Sequence, residues 1–241
     1  MGKVTYFPQN QNCFNLTCNR DVDLLKEVAV PINKYKINGV SVYCPKDPKG
    51  GGSWIAAGSN GFNLCLLNGA FDKTKTKLIE RRSRGLALLD FFNYKDHNDF
   101  MKQYDFNTVE SFSLIIVHQQ NKKLCLLEII WDGKNIKLLN HDPALPHIWS
   151  SNAIYSEDVI KQRERGFINW VKKNEIFSRD SILMFHHFGS SGDVENDMVM
   201  NRSGIKTVSI CSINKKTEIE TEMIYEDLLN IKFYSNRIIG N

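Results

Sequence analysis

At 241 residues, with 42% hydrophobic and 24% charged side chains, the chain is long enough to bury one sizeable core and is expected to form a single soluble domain over residues 1–241. Its formal net charge of +4 is spread over interleaved bases and acids. That argues against a nucleic-acid binder working through a sustained basic face, and the one basic stretch, Lys73 to Arg84, reads as a solvated loop and helix start. No run approaches the roughly 20 apolar residues needed to span a bilayer, and no apolar run of signal-peptide length opens the sequence, so a cytoplasmic location is expected. The six cysteines (Cys13, Cys18, Cys44, Cys65, Cys125 and Cys211) have no zinc-type spacing and mostly apolar neighbours. They read as reduced core thiols.

Lys3 to Pro8 and Cys13 to Asn19 alternate in character around a polar Gln-Asn run, which predicts two strands joined by a short loop. Further strands are predicted at Tyr35 to Tyr43, Ser53 to Gly58 and Phe62 to Asn68, with a glycine-rich turn at Lys49 to Gly52. Leu86, Leu88, Leu89 and Phe92 recur at helical spacing, and a second, polar helix is expected near Asn98 to Tyr104. Ser111 to His118, Lys123 to Trp131 and Asn135 to Leu139 read as a meander turning at Asp132-Gly133. The strongest helix signal is Asp158 to Lys173. Ile205 to Ile213 and Thr217 to Tyr225 read as a closing hairpin. Strand blocks segregated from helix blocks favour an α+β architecture.

Gly50-Gly51-Gly52 lacks the Lys-Ser/Thr of a phosphate loop and reads as a tight turn into Ser53-Trp54. His186-His187 reads as structural, because neighbours on a strand would face opposite ways. His141 and His147 flank a proline-containing loop with only a weak signal for haem or metal, so no cofactor and no metal are expected.

Four short segments are more informative together: Asn19-Arg20-Asp21, Gly51-Gly52-Ser53-Trp54, Leu67-Asn68-Gly69-Ala70-Phe71 and Ser83-Arg84-Gly85. With Ser151-Asn152-Ala153 and Asn201-Arg202 further on, their order and spacing resemble the NRDE family, also called the transport-and-Golgi-organisation-two family, over essentially the whole chain. Leu67 to Phe71 and Ser83 to Phe92 are most similar to its bacterial branch. The resemblance implies kinship with N-terminal-nucleophile hydrolases of the bile-salt and penicillin-V amidase group. It also implies a four-layer αββα sandwich with the residue after the initiator methionine at the mouth of a pocket.

In such enzymes an N-terminal cysteine attacks an amide carbonyl with its own α-amino group as base, a group whose pKa near ~8 suits that work. Carried over, the resemblance implies that Asp21 holds the terminal amine, Arg20 places positive charge near the thiolate, Asn152 donates to the oxyanion, Asn68 assists, and Arg202 orients the Asn152 region or the thiolate. Each has a structural alternative: Asn68-Gly69 and Asn152 as turn caps, and Arg20 with Asp21 as an ion pair.

The nucleophile position itself holds Gly2, and Val22 stands where the family name requires glutamate. Cys18 lies further along the hairpin and does not replace the missing thiol. The expectation is therefore an amide (non-peptide C–N bond) hydrolase scaffold that is inactive as written, with a small molecule or amide as partner. The readings left open are an N-terminal-cysteine hydrolase in which Gly2 is an introduced change, a natural lipid- or haem-type binding or delivery protein, and an interaction protein with a relic pocket. A homo-oligomer is compatible with each.

Overall fold

The computed structural model describes residues 2–9, 12–69, 82–189 and 192–239. Met1, Ala70, Phe71 and residues 73–81 of the basic stretch lie outside them. In chain order the first elements are strands β1 (Lys3–Pro8), β2 (Phe14–Asp23), β3 (Val30–Ile37), β4 (Val40–Lys46), β5 (Ile55–Gly58) and β6 (Asn63–Asn68), then helices α1 (Arg84–Asp90) and α2 (His97–Gln103). Strands β7 (Phe112–Gln120), β8 (Lys123–Trp131), β9 (Ile136–His141) and β10 (His147–Ser150) precede α3 (Glu157–Lys173) and α4 (Arg179–Phe188). The described chain closes with β11 (Asn201–Arg202), β12 (Ile205–Lys215), β13 (Glu220–Asp227) and β14 (Lys232–Ile239).

The strands form two seven-stranded sheets. One runs β10-β1-β2-β12-β13-β14 with β11 alongside β12, and the other runs β3 to β9 in sequence order. Apolar side chains that alternate along the strands fill the space between the sheets: Val4, Tyr6, Leu16 and Cys18 meet Trp54, Ile55, Cys65 and Ile115. An aromatic cluster around Phe91, Phe92, Phe100 and Phe106 seals α1 and α2 onto the outer face of the second sheet. On the first sheet, Phe7 packs with Phe167, Ile182, Phe185 and Met198 beneath α3 and α4. The order of layers is therefore αββα. Helix α3 carries its own end signals: Ser156 caps it, Glu157 and Asp158 lie in the first turn, and Lys172 and Lys173 in the last, each matched to the helix dipole.

Period-two alternation along β2 sorts its residues between two compartments. Phe14, Leu16, Cys18 and Arg20 face the opposite sheet. Asn15, Thr17, Asn19 and Asp21 face away from it, where Asn19 Nδ2 donates to the carbonyls of His186 (3.1 Å) and Met198 (2.6 Å). Arg20 and Asp21 therefore cannot pair with each other. Arg20 pairs with Asp47 instead (3.0 Å), which corrects the ion-pair alternative.

Four further elements differ from the sequence-based expectation. The single strand expected over Tyr35 to Tyr43 is a hairpin, β3 turning into β4 at Asn38-Gly39, both with positive φ. His186-His187 lies on α4 and not on a strand. The proline-containing loop between His141 and His147 runs straight into an unexpected strand, β10, which pairs with β1. The closing hairpin is extended to Lys215 and Asp227 and gains a third strand, β14.

Candidate active site

Gly2 precedes β1 and is pinned on both sides. Its N–H donates to the Asn19 carbonyl (3.1 Å), and its carbonyl accepts the Ser151 N–H (2.8 Å). A Cβ placed on this glycine would lie 1.5 Å from Asp21 Oδ2 and 2.4 Å from Asp21 Cγ. The carboxylate thus fills the point from which a nucleophilic side chain would start.

That carboxylate is held by a buried set of donors. Tyr155 Oη donates to Oδ2 (2.5 Å), Thr207 Oγ1 to Oδ1 (2.6 Å), and Lys3 Nζ lies 2.9 Å from Oδ2 and 3.1 Å from Oδ1. Lys3 also donates to the Met198 carbonyl (2.9 Å). Burial penalises the Asp21 charge, but the Lys3 ammonium and the hydrogen bonds from Thr207 and Tyr155 outweigh it and hold its pKa below the usual carboxylate range. For Lys3 burial prevails over Asp21, and nearby Arg163 and Arg202 add to it, lowering the ammonium from 10.5 to about 8. Asp21 gains from Lys3, Thr207 and Tyr155, while Lys3 is opposed by Arg163 and Arg202, so both values fall.

Tyr155 is enclosed by cations, with the Arg163 guanidinium 4.0 Å and the Arg202 guanidinium 5.1 Å from its ring centre. Desolvation and the Asp21 charge raise its phenol, so it stays a donor. Arg202 fastens the neighbouring turn: Nη1 donates to the Ile154 carbonyl (3.0 Å), Nε to the Glu195 carbonyl (2.8 Å), and Nη2 to Asn196. Arg163 donates to Ser150 Oγ (2.9 Å) and the Asn196 carbonyl (2.7 Å).

On the other face of β2, the Arg20 guanidinium lies 4.2 Å from the Trp54 ring centre and pairs with Asp47, which Lys26 also approaches at 3.4 Å. These residues, Asn68 and Ser83 line a cavity of about 80 Å³. Two glycine motifs build its wall by backbone contact. A Cβ on Gly52 would be 2.5 Å from the Gly85 carbonyl carbon, and one on Gly85 would be 2.7 Å from the Ser53 oxygen. Only glycine admits that approach.

Asn68 links the two halves, since its side borders the Arg20 cavity while its carbonyl accepts Ser151 Oγ. Asn152 is exposed in the turn after Ser151, two residues from the carbonyl that Arg202 holds. Cys18 is buried opposite Cys211 between the sheets, where desolvation raises both thiols well above their ordinary range. His141 pairs with Glu128 at 2.9 Å. Among the described residues no group of three or more His, Cys, Asp or Glu is arranged to hold a metal ion, and no helix is long and apolar enough to cross a membrane.

Lys3 and Tyr155 lie in no motif, Ser151 enters only as a member of the Ser151-Asn152-Ala153 segment, and the motifs give Thr207 no role. Lys3 left one signal, a lone charge in a strand of otherwise uncharged residues, which demands a buried partner once that strand lies inside a sheet.

The layered architecture, two seven-stranded antiparallel sheets between two layers of helices, is the N-terminal-nucleophile hydrolase fold. The chain belongs to the Transport and Golgi organisation 2 family, whose model matches residues 4–224. Among solved structures it is similar to the Caenorhabditis elegans ortholog of N-acylethanolamine-hydrolyzing acid amidase, with a TM-score of 0.58 and 12% identity over 88% of this chain and 92% of that one. It is also similar to two variants of conjugated bile acid hydrolase from Clostridium perfringens. One gives a TM-score of 0.52 and 10% identity over 98% of this chain and 92% of that one; the other gives 0.50 and 9% over 97% and 92%. At such identities the likeness is one of fold. No curated protein matches the sequence.

Proposed function

We propose that this chain uses an amidohydrolase scaffold to bind an amide-bearing small molecule without cleaving it. One observation carries the reading: the Asp21 carboxylate stands where a nucleophilic side chain at position 2 would begin, and Lys3, Tyr155 and Thr207 hold it there. A glycine has no atom with which to attack a carbonyl. The hydroxyls of Tyr155 and Thr207 donate to Asp21, and that of Ser151 donates to the Asn68 carbonyl. Recognition would fall to the other face of β2, where Arg20 and Lys26 offer cations, Asp47 an acceptor and Trp54 a flat apolar surface. That combination suits a ligand with a carboxylate next to an amide. The named activity of one structural neighbour, an N-acylethanolamine-hydrolyzing acid amidase, supports an amide as the ligand chemistry.

The test uses an N-acetylated amino acid in equilibrium dialysis, followed by mass spectrometry of the recovered ligand. Retention of intact ligand, lost in an Arg20→Leu variant that remains folded, is the expected outcome. Release of acetate by the unaltered chain would overturn the reading, as would no binding at all. A Gly2→Cys variant provides the complement. Because its Cβ collides with Asp21, which must shift to admit it, the variant is expected to unfold more readily, by about 1–3 kcal/mol, and not to hydrolyse the ligand.

A further inference from the structure

The outer helical layer contains a groove of about 890 Å³ between α3 and the α4 end of the chain, separated from the Arg20 cavity by the first sheet. Phe167, Trp170, Phe185 and Phe188 line its apolar part, and Phe188 is 69% exposed. Gly166 lies in the same wall, in the middle of a 17-residue helix. Glycine inside a helix is costly, and the usual justification is a close approach by another backbone, as at Gly52 and Gly85. Gly166 has no such reason, because a Cβ there would meet no atom within 4 Å. Packing within the chain does not require this glycine, and its effect is to deepen the groove.

The polar part limits what fits. Arg163 and Arg165 on α3 are balanced by Asp158 and Asp197, and Arg163 is already bonded to Ser150 and the Asn196 carbonyl. Gln162 and Asn169 add neutral hydrogen-bonding groups on the face of α3 that Gly166 shares. Two guanidiniums against two carboxylates leave the lining with no net charge to draw an ion. An aromatic apolar floor beside a charge-balanced, amide-rich rim selects an uncharged body with a single polar end.

We propose that the α3–α4 groove is a binding site for an uncharged amphipathic small molecule, whose apolar body lies over Gly166 between Trp170 and Phe188. The site lies on the opposite face of the first sheet from the Arg20 cavity. The test titrates the full chain with N-phenyl-1-naphthylamine, a neutral dye that brightens in apolar surroundings. One saturable site is expected. Gly166→Trp, which fills open space, should weaken binding at least tenfold, and Phe188→Ser should weaken it severalfold. Gly166→Ala should stay within twofold of the unaltered chain, and Arg20→Leu should have no effect. The anionic relative 8-anilinonaphthalene-1-sulfonate is expected to bind at least tenfold more weakly. Absence of saturable binding, equal binding by the unaltered chain and Gly166→Trp or Phe188→Ser, or equal binding of the two dyes would each overturn the proposal. Should Gly166→Trp fail to fold, Phe188→Ser decides alone.

Discussion

Lys3 Nζ lies 2.9 Å from Asp21 Oδ2 with both side chains fully buried, a paired charge beside Gly2. Breaking such a pair from one side strands the other charge, which typically costs about 3–5 kcal/mol. Lys3→Met is expected to lose that much in urea unfolding at pH 7, and Lys3→Met combined with Asp21→Asn to lose less than the sum of the single changes. Additive losses would show that the two charges are not coupled.

The same pair leaves a signature in alkali. Burial lowers the Lys3 ammonium from 10.5 to about 8, so between those pH values the unfolded chain holds a proton that the folded chain has released. Folding stability contributed by Lys3 therefore rises with pH across that window, by up to ~1.4 kcal/mol per pH unit. The difference in unfolding free energy between the unaltered chain and Lys3→Met should grow from pH 8 to 10. A constant difference would contradict the assignment.

His186 gives the acid counterpart. It is fully buried between Asn19 and Thr5, whose Oγ1 is 2.7 Å from Nε2. Desolvation, with Lys3 and His187 adding to it, lowers its pKa from 6.5 to about 3. Below pH 6.5 the unfolded chain gains a proton that the folded chain refuses until about 3, so stability falls as pH drops through that interval. His186→Gln, compared with the unaltered chain by unfolding at pH 7 and pH 4.5, should show a shallower decline. An equal decline would mean that the carboxylates alone set the acid limb.

Two glycines on helices should respond to alanine with opposite signs. Gly85 opens α1, where propensity favours alanine, but its Cβ would press to 2.7 Å of the Ser53 oxygen, and Gly85→Ala is expected to cost about 1–3 kcal/mol. Gly166→Ala meets nothing and is expected to stabilise by about 0.5–1 kcal/mol. Thermal melts of the two variants test both, and a shared sign would refute the packing account of Gly85.

Arg20 depends on the shape of its guanidinium as well as its charge. It spans the Trp54 ring and Asp47 at once, which a lysine cannot reproduce. Arg20→Lys is expected to cost about 1–3 kcal/mol and to shift Trp54 fluorescence. A lysine variant as stable as the original would reduce Arg20 to a point charge.

Much of this architecture was legible from residue patterns, because alternation in β1, β2, β7 and β8 and the 3.6-residue period of α3 are properties of single segments. The glycine motifs were legible as a set, and the Gly52–Gly85 contact explains why they occur together. What escaped depends on partners. Strand β10 has four residues and forms because β1 offers it an edge. Helix α4 is made of weak formers, with adjacent histidines that mimic a strand, and owes its place to Ile182 and Phe185 under α3. Strand β14 starts after Ile231, whose φ of +54° no pattern would assign to isoleucine. At the site, Asn152 drew attention while its neighbour Ser151 makes the bonds, and Lys3 carries no motif at all.

Ser151 joins the first sheet to the second, through Gly2 on one side and Asn68 on the other. At the far end of the same strands, beyond Asn63 and Lys215, the sheets leave a cavity of about 560 Å³. That end is tied through side chains, Lys215 Nζ to Gln119 Oε1 at 3.4 Å and Asn12 Nδ2 to the Lys122 carbonyl at 2.8 Å, whereas Ser151 fastens its end through two backbone carbonyls. Side-chain ties open more readily than backbone ones, so amide exchange is expected to be slower at Gly2 and Asn68 than towards the β12–β13 turn.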